Sequence, residues 1–161
     1  GAQGGAINNQ IAAKAVCFKE ALSDDFKIYA QQILKNAKAL SDSFTNEGLR
    51  VVSGGTVNHI VLVDTQSVDE ELTGKEAGIL LNEMGITLNR NAIPFDTRSP
   101  FVTSGIRMGT PAVTTCGMKE EQLTTVGLLI SDILKNRNDE NQLSNLKAQV
   151  RDLAITHQPY A

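Results

Sequence analysis

Only two cysteines, Cys17 and Cys116, occur in this sequence. They fit no metal-ligand spacing and give no reason to pair, as expected of a chain kept in a reducing cytoplasm. Positive charge is not in excess: 15 Lys and Arg stand against 18 Asp and Glu, a net charge of -3, and no basic stripe runs along the chain. That argues against nucleic acid or an anionic membrane surface as partner. No apolar run is long enough to span a bilayer, and no stretch reads as a signal peptide. There is no internal repeat and no low-complexity linker. No initiator methionine opens the chain. It begins at Gly1 with its first motif following at once, which reads as a piece of a longer protein. Nucleophile–base pairs and paired metal ligands are also missing, so by spacing alone this is a binding part without the group that does chemistry.

What is present is ordinary for one folded domain. The chain has 161 residues, 41% hydrophobic and 20% charged, enough for a real core. Gly1 to Gly5 read as a loop. Ile7, Ile11, Ala15, Phe18 and Leu22 recur at three- and four-residue steps and predict a first helix over 7–22. Ser23 is a plausible cap for a second helix whose stripe is Phe26, Tyr29, Ile33, Ala37, Leu40 and Phe44 and whose stop is Gly48. Residues 50–53 and 59–64 are rich in Val and Ile and read as strands, with Gly54-Gly55 bending the chain between them. Thr73-Gly74-Lys75-Glu76 is a capping box opening a helix to about Met84, stopped by Gly85. Residues 86–89 read as a short strand, 91–100 as a loop with two prolines, and 119–136 and 140–154 as closing helices. The order predicts an α+β fold: a short, mostly antiparallel sheet covered by helices on one face. The first helix stands apart as a connector.

The most informative stretch is Val102-Thr103-Ser104-Gly105-Ile106-Arg107-Met108-Gly109-Thr110-Pro111. Ile106 and Met108 flank one arginine, which reads as a short strand with Arg107 on the face opposite them. Gly105 and Gly109 leave room for a close approach to the backbone. An arginine on an inner face needs an anion, since an unpaired buried charge is costly. Its planar fork suits a carboxylate. By spacing alone, that anion is either a ligand or one of the chain's own acids.

Gly4-Gly5 leads directly into a helix, where free N–H groups and the helix dipole suit phosphate, though glycines before helices are common. Asn89, Arg90 and Asn91 read as turn chemistry or as amides able to meet a heterocycle edge. His59 reads as a structural histidine, His157 as part of a polar tail, and Lys75 as a first-turn surface lysine, because the rest of a phosphate-loop motif is absent.

Taken together, these segments resemble serine hydroxymethyltransferase, also called glycine hydroxymethyltransferase, over almost the full length. The carriers are Gly1 to Gly5 followed by Ile11 to Val16; Val52-Ser53-Gly54-Gly55-Thr56 with Asn58-His59; Leu72 to Ala77; Asn89 to Pro94; and above all Ser99 to Ala112. The resemblance implies an enzyme of the aminotransferase-like pyridoxal phosphate fold, dimeric and two-domained, that moves a one-carbon unit between serine and glycine with tetrahydrofolate as carrier. It places residues 1–22 at the end of the large domain and 23–161 as the C-terminal small domain. It implies that Arg107 holds the substrate carboxylate and that Gly4 and Gly5 offer N–H groups to the cofactor phosphate of a partner subunit. It also implies that Asn91, Ser99, Pro100 and Phe101 line the folate site.

The family's cofactor lysine, in its threonine-rich motif, is not in this sequence, nor are the aspartate and histidine that hold the cofactor ring. The chain alone is therefore expected to be inactive. Three positions depart from the family pattern: Val57 replaces a usual aspartate, Asn8-Asn9 replaces a usual Met-His, and Thr115-Cys116 replaces a stretch that usually carries an arginine. A non-catalytic binding or assembly module derived from the family is the alternative. Another enzyme of the same cofactor fold is a third reading, against which the 89–101 loop argues.

Overall fold

A computed structural model describes residues 4–159; of the expected N-terminal loop, Gly1 to Gln3 lie outside the described residues. Among the described residues there are six helices and a four-stranded antiparallel sheet, so the expected α+β class is correct. The first helix, α1 (Asn8–Ala21), is followed by α2 (Asp24–Asn46). Ser23 Oγ accepts the Phe26 N–H, and Asp24 and Asp25 sit in the first turn of α2, where the helix dipole favours negative charge. Gly48, at φ 82°, turns the chain out of α2 in the left-handed conformation that glycine tolerates best.

The strands are β1 (Arg50–Val51), β2 (Ile60–Asp64), β3 (Asn89–Asn91) and β4 (Gly105–Gly109), in the order β1-β2-β4-β3. Gly54 and Gly55 make the bend between β1 and β2, both at positive φ, as does Ser53. In the register, Val63 faces Ile106 and Val61 faces Met108, while Leu62 and Asn89 flank Arg107 on either side. Period-two alternation then divides the sheet into two faces. Val61, Val63 and Ile106 are fully buried beneath α2 and α3 (Gly74–Glu83). Leu62, Gly105, Arg107 and Gly109 share the opposite face.

Behind α2 and α3 lies α5 (Glu120–Lys135), which contributes the fully buried Ile133 and Leu134; α6 (Glu140–Ile155) packs on α5 through Leu146 and Val150. The Thr73–Glu76 capping box is formed as expected: Thr73 Oγ1 accepts the Glu76 N–H, and the Glu76 carboxylate accepts from Thr73 Oγ1 and the Thr73 N–H. Those bonds from the Thr73 hydroxyl and N–H hold the Glu76 carboxyl below its ordinary pKa.

Three expectations change. The strand expected at 86–89 lies instead at Asn89–Asn91, because Ile86 and Leu88 are half-buried in the approach from α3 and pair with no strand. A short helix, α4 (Pro111–Thr115), follows β4 and was not expected. It is locked onto α2 by Asn36, whose buried Nδ2 donates to Thr114 Oγ1 at 2.8 Å and to the Met118 carbonyl at 2.9 Å. The predicted stripes of α1 and α2 are also only partly used. No residue of α1 is buried, and in α2 burial is confined to the half from Asn36 onward.

At Gly127 of α5 a Cβ would run into the Ser43 side chain of α2, whereas at Gly78 of α3 it would meet nothing within 4 Å. The same substitution should therefore have opposite signs. Gly127→Ala should lower stability by about 1–3 kcal/mol through overpacking, and Gly78→Ala should raise it by about 0.5–1 kcal/mol through helix propensity. Urea denaturation of both variants checks this.

Candidate functional site

Arg107 stands in the middle strand pair of the open sheet face, as its place in the sequence suggested, but it is exposed. The expectation of an arginine on an inner, buried face is therefore wrong. The buried face belongs to its neighbour Ile106, and no cost of charge burial demands a counter-ion. Among the described residues Arg107 forms no ion pair. Its one side-chain bond is Nη1 to Asn91 Oδ1 at 3.2 Å, and Asn91 Nδ2 donates to the Ala92 carbonyl at 2.7 Å. The internal-acid reading is thus not realised. The guanidinium is steadied by a neutral amide and keeps most of its donors open.

The expected role of the flanking glycines also changes. A Cβ on Gly105 would meet Ile93 Cγ2 at 2.7 Å and the Asn91 carbonyl oxygen at 2.8 Å, so this glycine is required by the protein's own loop. At Gly109 the nearest atoms are at ordinary contact distance.

Residues 92–104 connect β3 to β4. The two ends of this loop are tied by Asp96. Its Oδ2 accepts the N–H of Ile93 (3.2 Å) and of Ser104 (2.8 Å), and its Oδ1 accepts the N–H of Arg98 (3.0 Å) and the hydroxyl of Ser104 (2.7 Å). Burial pushes the Asp96 carboxyl up, but these hydrogen bonds outweigh it and leave its pKa below the ordinary value. Arg98 fastens the loop outward, donating to the carbonyls of Leu72 (2.7 Å) and Glu70 (2.5 Å).

The first N–H groups of α3, on Gly74 and Lys75, donate to the carbonyls of Thr103 and Val102, both at 3.0 Å. With those donors occupied, Lys75 does not belong to a phosphate loop and remains an exposed first-turn lysine. The close approach depends on Gly74, where a Cβ would collide with the Gly105 carbonyl and Thr103 Oγ1. Thr103 sits at φ 60°, unusual for a β-branched residue.

The structure thus brings Arg107 and Asn91 together. Ser99, Pro100 and Phe101 lie exposed on the same loop, with the Phe101 ring 78% exposed, and they form no hydrogen bond to Arg107 or Asn91 among the described residues. Gly4 and Gly5 precede α1, none of whose residues is buried. Nothing lies within 4 Å of a Cβ placed on either glycine, so both backbones are open to approach. His59 is exposed, and its backbone carbonyl accepts the Thr110 N–H at 3.1 Å. Val57 is 94% exposed. Cys17 and Cys116 are free. No group of three metal-binding side chains occurs among the described residues, and no helix among them is long and apolar enough to cross a membrane.

Residues 1–130 match the family model described as serine hydroxymethyltransferase. The chain belongs to that family. The serine hydroxymethyltransferase of Psychrobacter sp. (strain PRwf-1) is 52% identical over 153 residues, covering 95% of this chain and 36% of the relative. The chain therefore spans about a third of the length of the curated relative it matches.

Within this member of the serine hydroxymethyltransferase family, sequence reasoning missed Asp96, Arg98 and Ser104. Asp96 was legible only as part of the proline-bearing loop 91–100, and nothing local to it names Ser104 as its partner. Replacing Asp96 by Ala should cost about 1–3 kcal/mol, because the buried Ser104 N–H loses its acceptor. The pH dependence has a definite sign. With its folded pKa depressed, Asp96 stabilises fully above the unfolded value of about 4 and loses that contribution as pH falls through the folded one. Asp96→Asn should accordingly show a shallower loss of stability than wild type on acidification below about pH 4, measured by urea unfolding in a pH series.

Proposed function

We propose that this chain is the C-terminal part of a pyridoxal phosphate-dependent enzyme that interconverts serine and glycine, with tetrahydrofolate carrying the one-carbon unit. The observation that carries the reading is the state of Arg107. It is a guanidinium on an open sheet face, oriented by Asn91, with no carboxylate in contact among the described residues. That arrangement suits the carboxylate of an amino acid, which a planar fork holds by two parallel hydrogen bonds.

Asn91, Ser99, Pro100 and Phe101 would meet the folate. Asn91 has an amide able to donate and accept, and Phe101 has an exposed ring able to stack. Gly4 and Gly5 would offer backbone N–H groups to the cofactor phosphate of the second subunit of a homodimer, and their open backbones fit that task. Bound pyridoxal phosphate would supply the electron sink for chemistry at the amino acid's α-carbon. Residues 1–22 would end the large domain and 23–161 would form the small domain. The enzyme would be cytoplasmic, and this chain alone inactive, because the lysine motif that holds the cofactor is not in its sequence.

Substitution of Arg107 by Lys in the full-length enzyme tests the reading. A point charge cannot reproduce the fork, so the KM for serine should rise roughly ten- to hundredfold, the equivalent of one charged hydrogen bond. Cofactor content should be unchanged. An unaltered KM for serine would overturn the assignment.

A further inference from the structure

Asp96 fills all of its acceptor positions with the loop that frames Arg107. Each carboxylate oxygen receives two donors, the N–H of Ile93 and of Ser104 on Oδ2, the N–H of Arg98 and the hydroxyl of Ser104 on Oδ1. A carboxylate so occupied has no lone pair left for a substrate proton, which removes it from acid–base work. What it does is geometric. Ile93 lies two residues beyond Asn91, and Ser104 immediately precedes Gly105, the residue that pairs with Asn91 across the sheet. Asp96 therefore clamps both strands just outside the Asn91–Gly105 pair, and Arg107 follows on the same face with its Nη1 on Asn91 Oδ1. The clamp has a cost on the Ser104 side. The preceding Thr103 is held at φ 60° with its Oγ1 buried and unpartnered, a conformation that the Gly74 N–H on its carbonyl helps to maintain.

We propose that Asp96 is a positioning residue: through Ser104 and Ile93 it fixes Asn91 and Arg107 relative to one another, and so sets the affinity for both the amino acid and the folate. This rests on the roles given above to Arg107 and Asn91. It goes beyond them in assigning their alignment to a carboxylate that touches neither substrate.

In the full-length enzyme, Asp96→Asn places an amide NH2 against a backbone N–H donor. The KM for serine and the KM for tetrahydrofolate should each rise roughly tenfold, about the loss of one hydrogen bond's worth of alignment, while kcat at saturation of both changes less than about threefold. Ser104→Ala, nearly isosteric and lacking only the hydroxyl bond, should shift both KM values in the same direction by about threefold. It decides the matter alone should Asp96→Asn fail to fold. Val150→Ala in α6, remote from the loop, is the stability control: it should lower Tm and leave both KM values unchanged. The proposal is overturned by KM values within twofold of wild type in both Asp96→Asn and Ser104→Ala, or by an equal rise of KM in Val150→Ala. A failure of the parent reading is separable, since it would show as an unaltered serine KM in Arg107→Lys whatever the Asp96 variants do.

Discussion

The N-terminus of α3 sends its first two N–H groups into the carbonyls of Val102 and Thr103, and much of the candidate site is built around that contact. A helix start must satisfy its orphan donors. Here Thr73 takes the third, and the loop before β4 takes the first two. Such an approach is possible only because Gly74 has no side chain where the Gly105 carbonyl and Thr103 Oγ1 lie. It couples two distant motifs, Leu72 to Ala77 and Ser99 to Ala112, into one packed unit. Thr103 bears the strain, Gly105 opens β4 in register with Asn91, and Arg107 follows on the open face.

Much of the fold was legible because it is written in local signals. Ser23, Gly48, the Thr73–Glu76 box and Gly85 each marked a helix end through chemistry that acts within a few residues. The alternation around Arg107 gave its face correctly, since period two is a property of the strand itself. Its burial was misjudged because alternation says which face a residue occupies but not whether anything covers that face. Asp96 and α4 were invisible for a related reason. Asp96 binds Ser104, and Asn36 binds Thr114 and Met118, across separations that no local pattern encodes. The glycines of the Arg107 stretch were noticed but misassigned. Space at Gly105 is taken by Ile93, a contact only the folded loop reveals.

The exposed positions have one physical consequence in common. An arginine in water gains little from a carboxylate: an exposed pair is worth about 0–1 kcal/mol. A charge-assisted pair sheltered from water is stronger, with hydrogen bonds to charged groups worth about 1.5–3 kcal/mol each. The role proposed for Arg107 therefore requires that its face be covered when substrate is present. Within this chain nothing described covers it. The same holds for α1, whose Ile11, Val16 and Phe18, with Leu22 just after it, all remain more than half exposed and continue into an exposed Phe26. An uncovered arginine and an uncovered helix are both surfaces of the kind that a partner surface would cover. The loop clamped by Asp96 and α3 can hold Arg107 and Asn91 in place beforehand. In the proposed role, water would be excluded from them by a surface that the described residues do not supply.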